Sequence, residues 1–162
     1  MFEWHCKTFD QLDSVELYKL LQARSAVFIF EQRCVFGDID GLDLRAVHLF
    51  ALDSSDPELP LAACARLFGP EREDRSVAIG RVLTTQPYRG RGLGQALMQR
   101  ALDEAAQRWP DLPIRLNAQQ HLRAFYEAFG FKKVSGPYLE DGIPHIEMRR
   151  ADLSLADDAP TH

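Results

Sequence analysis

The sequence predicts a single α/β domain, and three observations support this. Its 162 residues suit one domain, since domains average roughly 150 residues. Segments of alternating polarity, typical of strands, are interspersed with segments of helical periodicity, and no internal repeat interrupts them. A content of 46% hydrophobic and 27% charged residues is that of a globular protein rather than a disordered one.

The first elements are a strand and a helix followed by an acidic loop. Phe2–Lys7 alternates apolar and polar residues, as a short strand does. From Ser14 to Phe30 the apolar residues follow helical spacing, with Asp13 or Ser14 as the expected N-cap. The segment Glu31–Asp43 carries two glycines and four acids against one arginine, so we expect a loop there.

The middle of the chain predicts three strands and a long helix. Ala46–Leu52 and Leu61–Phe68 are expected to form a hairpin with a long connection. Ser76–Thr84 is the next strand, because Pro87 lacks the amide donor needed to continue it. Leu93–Arg108 has leucines and alanines on one face and predicts an amphipathic helix.

The last third predicts short strands around one helix. Leu122, Phe125, Tyr126 and Phe129 form a helical stripe that Gly130 ends. The expected strands are Ile114–Asn117, Phe131–Val134 and Pro144–Met148. We therefore expect one domain over residues 1–151 and a polar C-terminal tail over 152–162.

Charge and composition exclude several classes of function. Nineteen basic against 24 acidic residues give a net charge of −5, which disfavours nucleic-acid binding through phosphate neutralisation. The apolar runs are far shorter than the ~18 residues of a membrane span. Met1–Trp4 lacks the basic region of a signal peptide. We expect a cytoplasmic protein without nucleic-acid or membrane partners, either a monomer or a homodimer.

The three cysteines do not predict a metal or disulfide site. Their number is odd and no C-x-x-C pair is present, so no metal is expected. A Cys–His nucleophilic site is an alternative to buried or free thiols, but it has no local signature. The residues are Cys6, Cys34 and Cys64.

A glycine-rich turn precedes the long helix. Glycines at a helix entrance let the backbone approach a ligand, while the free amides and the helix dipole favour an anion. Four arginines and no acid lie between Arg81 and Arg100, which favours a phosphate or pyrophosphate over a turn with solvated arginines. No Lys-Ser or Lys-Thr follows these glycines, so the Walker motif of a kinase or ATPase is absent. The dinucleotide-binding fingerprint is also absent, because it requires a glycine where this sequence has Gln95. The turn reads Arg89-Gly90-Arg91-Gly92-Leu93-Gly94-Gln95.

Two motifs resemble those of the GNAT N-acetyltransferase superfamily. Arg89-x-x-Gly92-x-Gly94, between a strand and a helix, resembles its acetyl-CoA pyrophosphate motif, and Asn117 followed by Leu122-x-x-Phe125-Tyr126-x-x-Phe129-Gly130-Phe131 resembles its downstream motif. Nearly the whole chain resembles the ElaA-like family. The residues of that likeness are Arg24-Ser25-x-Val27-Phe28-x-x-Glu31-Gln32, Asp38-x-Asp40-Gly41-x-Asp43 and Glu140-Asp141-Gly142-Ile143-Pro144-His145.

This resemblance implies an α/β (α+β) acyl-CoA N-acyltransferase fold, with a twisted, mostly antiparallel mixed sheet flanked by helices. It also implies transfer of an acetyl group from acetyl-CoA, as co-substrate, to a primary amine by direct attack. A non-catalytic acyl-CoA-binding module and a longer acyl donor are the alternatives. The cofactor residues implied are Val82, Leu83 and Thr84 for the pantetheine arm, Arg89, Gly90, Arg91, Gly92, Leu93, Gly94 and Gln95 for the pyrophosphate, and Asn117.

Tyr126 resembles the superfamily tyrosine that protonates the departing CoA thiolate. A core tyrosine on the apolar stripe is the alternative interpretation. With ordinary pKa values of ~8.5 for a thiol and ~10 for a tyrosine, the transfer is uphill by about 2 kcal/mol, and water can share it. For Asn117, the alternative to a cofactor contact is a helix N-cap or turn residue.

The acceptor side is less determined by the sequence. Deprotonating an alkyl amine at pH 7 costs about 4–5 kcal/mol, so a general base or an ordered water chain is expected. The net charge of −3 in Glu31–Asp43 suits a cationic amine, and a solvated loop is the alternative. His121 is expected to lie on the surface at the helix entry. The candidate residues are Glu31, Gln32, Asp40, His48, Glu140, Asp141 and His145, and the choice among them stays open.

Overall fold

Within residues 1–151, which the computed structural model describes, seven strands form one mixed sheet. Its strand order is β1-β2-β3-β4-β5-β7-β6, with β4 and β5 parallel and the other neighbours antiparallel. The predicted tail, 152–162, lies outside the described residues. The strands are β1 Phe2–Thr8, β2 Val47–Asp53, β3 Leu61–Phe68, β4 Val77–Thr84, β5 Ile114–Gln119, β6 Lys132–Glu140 and β7 Ile143–Arg150.

The helices are α1 Ser14–Arg24, α2 Leu93–Arg108 and α3 Arg123–Glu127. Asp13 caps α1 as predicted, because its carboxylate accepts from the Glu16 amide at 2.7 Å and the Glu16 carboxylate accepts in return. The helical periodicity beyond Arg24 is realised as a π-helical segment, Ser25–Glu31. This wider turn carries the chain from α1 into the acidic loop.

Helices cover both faces of the sheet. On one face α2 buries Leu97, Met98 and Ala101 completely against β3, β4 and β5. On the other face Leu20 of α1 and Val27 pack on β2 and β3. The amphipathic faces predicted from sequence therefore form two separate hydrophobic layers around a central sheet.

The sheet opens between β4 and β5. In the described chain these strands pair only at Val77 with Ile114 and at Ala78 with Arg115. A bulge lies just beyond, since Arg66 of β3 pairs with Gly80 while Cys64 pairs with Leu83, which leaves an extra residue in β4. The bulged part of β4 and the far half of β5 diverge and form the two walls of a cleft.

The main differences from the predicted elements lie near the C-terminus. The strand predicted at Phe131–Val134 is instead the nine-residue β6, whose Ser135-Gly136-Pro137 sequence is typical of a turn. An edge strand tolerates proline, because one side of its ladder has no partner. The predicted aromatic helix is shorter, with a 3₁₀ turn at Gln120–Leu122 before α3. Among residues 1–151, no helix is long and apolar enough to cross a membrane.

Candidate active site

A cavity of about 1030 Å³ lies at the opening between β4 and β5. Its walls come from the end of β4, the far half of β5, the start of α2, and α3. Residues of the acidic loop and of the β6–β7 hairpin complete it. One cavity therefore joins the glycine turn to most of the candidate acceptor residues.

The three residues expected to bind a pantetheine arm lie along this opening. Val82, Leu83 and Thr84 line the cavity, and no β5 partner is registered beside them in the described residues. A strand whose neighbour has diverged can offer its backbone amides and carbonyls to an extended ligand.

The glycine turn lies at the start of α2, and two of its residues, Arg89 and Gly94, line the same cavity. Gly90 and Gly92 adopt left-handed φ angles of 79° and 76°, which favour glycine. Gly92 is the N-cap of α2, so the free amides and the positive end of this 16-residue helix lie at the turn. Gly94 lines the cavity, and a Cβ there would meet Phe125 and Thr84 at 3.8 Å.

The arginines around the turn do not form one positive surface. Arg91 lies over the Tyr88 ring at 5.5 Å, whereas Arg100 lies over the Trp4 ring at 4.6 Å on the side of α2. Arg81 is paired with Asp38 at 2.8 Å. The expectation that the four arginines between Arg81 and Arg100 act together on one anion is therefore wrong. Only Arg89 and Arg91 lie at the glycine turn.

Tyr126 belongs to the core and to the cavity at the same time. Its ring packs edge-on against Phe125 and Phe131, with centroids 5.1 and 6.1 Å away, and only 6% of the residue is exposed. Within residues 1–151 its hydroxyl has no hydrogen-bond partner, but this oxygen is not fully enclosed, and the residue lines the cavity. Burial raises the pKa of Tyr126 to about 12, so the phenol stays a neutral hydrogen-bond donor.

Asn117 lies in β5, two residues before its end, and lines the cavity. Its Oδ1 accepts from the Tyr138 hydroxyl at 2.8 Å. The helix N-cap alternative does not apply, because Leu122 precedes α3 at that position. The amide of Asn117 therefore connects the cleft wall to β6.

The acidic loop is fastened to the sheet by arginines. Asp38 and Asp43 are almost fully buried, and each accepts from Arg24, at 3.1 and 2.7 Å respectively. Arg66 of β3 donates to Asp40 at 2.6 Å and to Asp43 at 3.0 Å. Together with Arg81, which pairs with Asp38, these residues form what we call the Arg–Asp network. Its six members are Arg24, Arg66, Arg81, Asp38, Asp40 and Asp43. The alternative expectation that the Glu31–Asp43 loop is solvated is therefore wrong. The net charge of −3 counted along this loop is largely compensated by arginines from outside it.

The surroundings of two candidate bases, Asp40 and His48, lower their pKa values. Burial alone would raise the pKa of Asp40, but the hydrogen bonds and charge of Arg66 hold it well below its usual range. His48 is buried, its Nε2 lies 3.0 Å from the Asp43 carbonyl oxygen, and burial lowers its pKa. Asp40 lines the cavity and His48 does not. The structure therefore keeps His48 apart from the other candidates.

The other candidates meet at the cavity. Glu31 lies beside the glycine turn, and Glu140, Asp141 and His145 come from the β6–β7 hairpin. His145 is 12% exposed at its side chain; its Nδ1 lies 2.7 Å from the Ile143 carbonyl oxygen and its Nε2 3.5 Å from Glu140. Gln32 and His121 also line the cavity.

Several site residues are not singled out by the sequence interpretation. Arg66 is one, although a lone arginine in the otherwise apolar strand Leu61–Phe68 signals a buried ion pair. Tyr138 carries no such signal. The three cysteines are free, and among residues 1–151 there is no cluster of three side chains able to hold a metal.

Comparison with known proteins identifies relatives along nearly the whole chain. The acetyltransferase (GNAT) domain family matches residues 52–151. The chain is 43% identical to protein ElaA of Escherichia coli over 150 residues, which cover 93% of this chain and 97% of ElaA. The crystal structure of that ElaA superimposes with a TM-score of 0.85 at 41% identity, covering 93% of this chain and 99% of the other. An acyl-CoA N-acyltransferase from Pseudomonas aeruginosa gives 0.87 at 46% identity, with 93% and 100% covered. These likenesses confirm the predicted fold.

Proposed function

The chain belongs to the GNAT acetyltransferase family, in its ElaA-like group, and from that membership we propose transfer of an acetyl group from acetyl-CoA to a primary amine. The observation that carries the proposal is the continuity of one cavity from the glycine turn, past Tyr126, to the β6–β7 hairpin. A module that only binds acyl-CoA has no need of a phenol donor among the residues that line such a cavity.

The residues at the turn fit a pyrophosphate. Gly94 lines the cavity at the start of α2, where a side chain would occupy the space beside Thr84 and Phe125. The amides of residues 90–95 and the guanidinium of Arg89 would hold the phosphates. The backbone of Val82–Thr84 would orient the pantetheine arm along the opening of the sheet.

Acetyl-CoA supplies an activated acetyl thioester when bound. Tyr126 offers its O–H as a donor towards the leaving sulfur, and its ring is held in place by edge-on contacts with Phe125 and Phe131. A pKa of about 12, against ~8.5 for an ordinary thiol, makes complete proton transfer uphill by about 5 kcal/mol. The same apolar walls also disfavour a thiolate, which narrows this difference. Tyr126 therefore acts first as a hydrogen-bond donor that stabilises the charge developing on sulfur.

The acceptor amine would enter from the side of the acidic loop and the β6–β7 hairpin. Asp40 and Glu31 lie there but are bonded to arginines, whereas Glu140 and Asp141 line the cavity from the hairpin. Carboxylates at this entrance suit a cationic primary amine on a small molecule or peptide.

Thiol release from acetyl-CoA, measured against a panel of polyamines, aminoglycosides, amino acids and peptides, tests the proposal. Mass spectrometry of each mixture identifies the acetylated amine. We expect at least one class of amine to accelerate release and to gain an acetyl group. Binding of acetyl-CoA without release by any amine would support a non-catalytic module instead. Failure to bind CoA at all would contradict both.

A further inference from the structure

A general base for this reaction needs a lone pair that is open to the acceptor side of the cavity. Asp40 does not meet this requirement, because Arg66 and Arg81 occupy its carboxylate. The carboxylate of Glu31 lies beside Arg89 of the glycine turn, at the pyrophosphate end of the proposed site, and His48 lies away from the cavity. Three candidates stay without an arginine partner in the described chain: Glu140, Asp141 and His145.

The hydrogen bond of His145 fixes which of its nitrogens holds the lone pair. Nδ1 lies 2.7 Å from the carbonyl oxygen of Ile143. A carbonyl oxygen can only accept, so Nδ1 carries the hydrogen and Nε2 of the neutral ring keeps its lone pair. The carboxylate of Glu140 lies 3.5 Å from Nε2 and would stabilise the imidazolium that forms when Nε2 takes a proton.

The ring of His145 is also held in place from the side. Tyr138 stacks on it, with centroids 6.4 Å apart and planes 22° from parallel. The Tyr138 hydroxyl in turn donates to Asn117 of β5 at 2.8 Å. Because β5 forms one wall of the cleft, this chain of contacts fixes the imidazole relative to the opening.

The register of the strands places His145 at the open end of the cleft. It pairs with Gln119, the last residue of β5, at the end where β5 has diverged from β4. Tyr126 of α3 and His145 of β7 contribute to the same cavity, from helix and sheet respectively. A base and a hydrogen-bond donor that line one cavity suit attack on a thioester bound there.

We propose that Nε2 of His145 is the base that takes the proton from the acceptor amine, an inference that rests on the proposed acetyl transfer. Nε2 first takes one proton from the ammonium group, which frees the nitrogen lone pair; Glu140 stabilises the resulting imidazolium, and the proton then passes to solvent. The freed lone pair forms the new C–N bond as the electrons of the C–S bond leave with the sulfur. The second proton lost by the nitrogen is taken up by the departing thiolate, by way of Tyr126 or water. Tyr138 and Ile143 are positioning residues that hold the ring in this orientation.

The tautomer of His145 tests the geometry without any turnover. Long-range ¹H–¹⁵N spectra of the protein labelled with [¹⁵N]histidine, recorded at mildly alkaline pH, distinguish the two neutral tautomers. The His145→Gln variant identifies the signals. We expect hydrogen on Nδ1 and a lone pair on Nε2. Hydrogen on Nε2 would overturn the proposal, whether or not an acceptor has been found.

A comparison of acceptors tests the chemical role. For an alkyl amine, protonated at pH 7, we expect His145→Gln to lower kcat by about 10²- to 10³-fold. For O-methylhydroxylamine, whose nitrogen is already neutral at that pH, we expect a loss of less than about fivefold. The matched control is His5→Gln on β1, which leaves both rates unchanged.

Equal losses with the two acceptors would show that His145 acts through structure alone and would overturn its role as base. A normal rate with the alkyl amine in His145→Gln would do the same. If wild-type protein acetylates neither amine nor any member of the wider panel, the proposed transfer itself is contradicted. The tautomer spectrum still decides where His145 keeps its lone pair.

Discussion

The guanidinium of Arg89 donates to the carboxylate of Glu31 at 2.7 Å and to the carbonyl oxygen of Thr84 at 3.0 Å. Glu31 ends the π-helical segment on the acceptor side, whereas Arg89 begins the glycine turn on the cofactor side. The ion pair therefore connects the two halves of the site. The side chains of Glu31 and Arg89 are 33% and 44% exposed, so the ion pair contributes only about 0.2–1 kcal/mol to stability.

Replacing Glu31 by glutamine should strengthen CoA binding. Because Arg89 must release the carboxylate before it can contact a phosphate, removing that charge should raise the affinity about 1.5- to 5-fold. Calorimetric titration with CoA measures this affinity. The matched control is Glu3→Gln on β1, which should bind CoA as wild type does. Weaker binding in Glu31→Gln would show instead that Glu31 holds Arg89 ready for the phosphate.

Gly94→Ala should separate stability from cofactor binding. The new Cβ would meet Phe125 and Thr84 at an ordinary contact distance of 3.8 Å, so the fold accepts it. Alanine favours the helix by up to about 1 kcal/mol, and the free energy of unfolding should not fall. The methyl group lies where the pyrophosphate is expected, and CoA affinity should fall by about tenfold or more.

Urea unfolding and CoA titration of the same Gly94→Ala sample check both effects. Gln99→Ala, on the exposed face of α2, is the control and should bind CoA normally. Undiminished CoA affinity in Gly94→Ala would place the pyrophosphate elsewhere.

Tyr126→Phe should slow turnover by about 10- to 100-fold, because it removes the hydrogen bond to the leaving sulfur while water shares the proton transfer. The phenyl ring keeps the packing against Phe125 and Phe131, so the free energy of unfolding should change little. CoA affinity should stay within about twofold of wild type. Steady-state kinetics and CoA titration measure the two quantities, with exposed Tyr18→Phe as the control. A large loss of affinity with normal turnover at saturation would assign Tyr126 to cofactor binding or to structure.

Asp43→Ala should destabilise the protein strongly. It would leave Arg24 and Arg66 buried without a carboxylate that both now share, at a cost of about 3–5 kcal/mol. The exposed pair of Arg45 with Glu71 offers a matched comparison, and Glu71→Ala should cost no more than about 1 kcal/mol. Urea unfolding of both variants checks this, and equal costs would show that the Arg–Asp network contributes little to the fold.

Elements with strong periodicity could be predicted from sequence. The bounds of Leu61–Phe68 and Leu93–Arg108 match the structure to the residue, because the strand is buried along its whole length and the helix has one buried face. β6 could not be predicted in full, since its register shifts accommodate Ser135-Gly136-Pro137 in a strand. Local propensity favours a turn there, and pairing with β7 overrides it.

The charges of the site were the least predictable feature. Counting charge along the chain suggested a positive glycine turn and a negative loop, but Arg81 and Asp38 pair across 43 residues. Such pairs depend on the sheet register and on the route of the loop, which composition does not contain. The roles proposed for Asn117, Tyr126 and the glycine turn follow from family motifs and are still predictions.

The most direct test of the proposed function is a crystal structure of the protein with CoA. We expect the pyrophosphate on the amides of residues 90–95, the pantetheine arm along Val82–Thr84, and the thiol within hydrogen-bonding distance of the Tyr126 hydroxyl. The His145 ring should lie across the opening from that sulfur. CoA bound outside the cleft between β4 and β5, or with its thiol away from Tyr126, would contradict it.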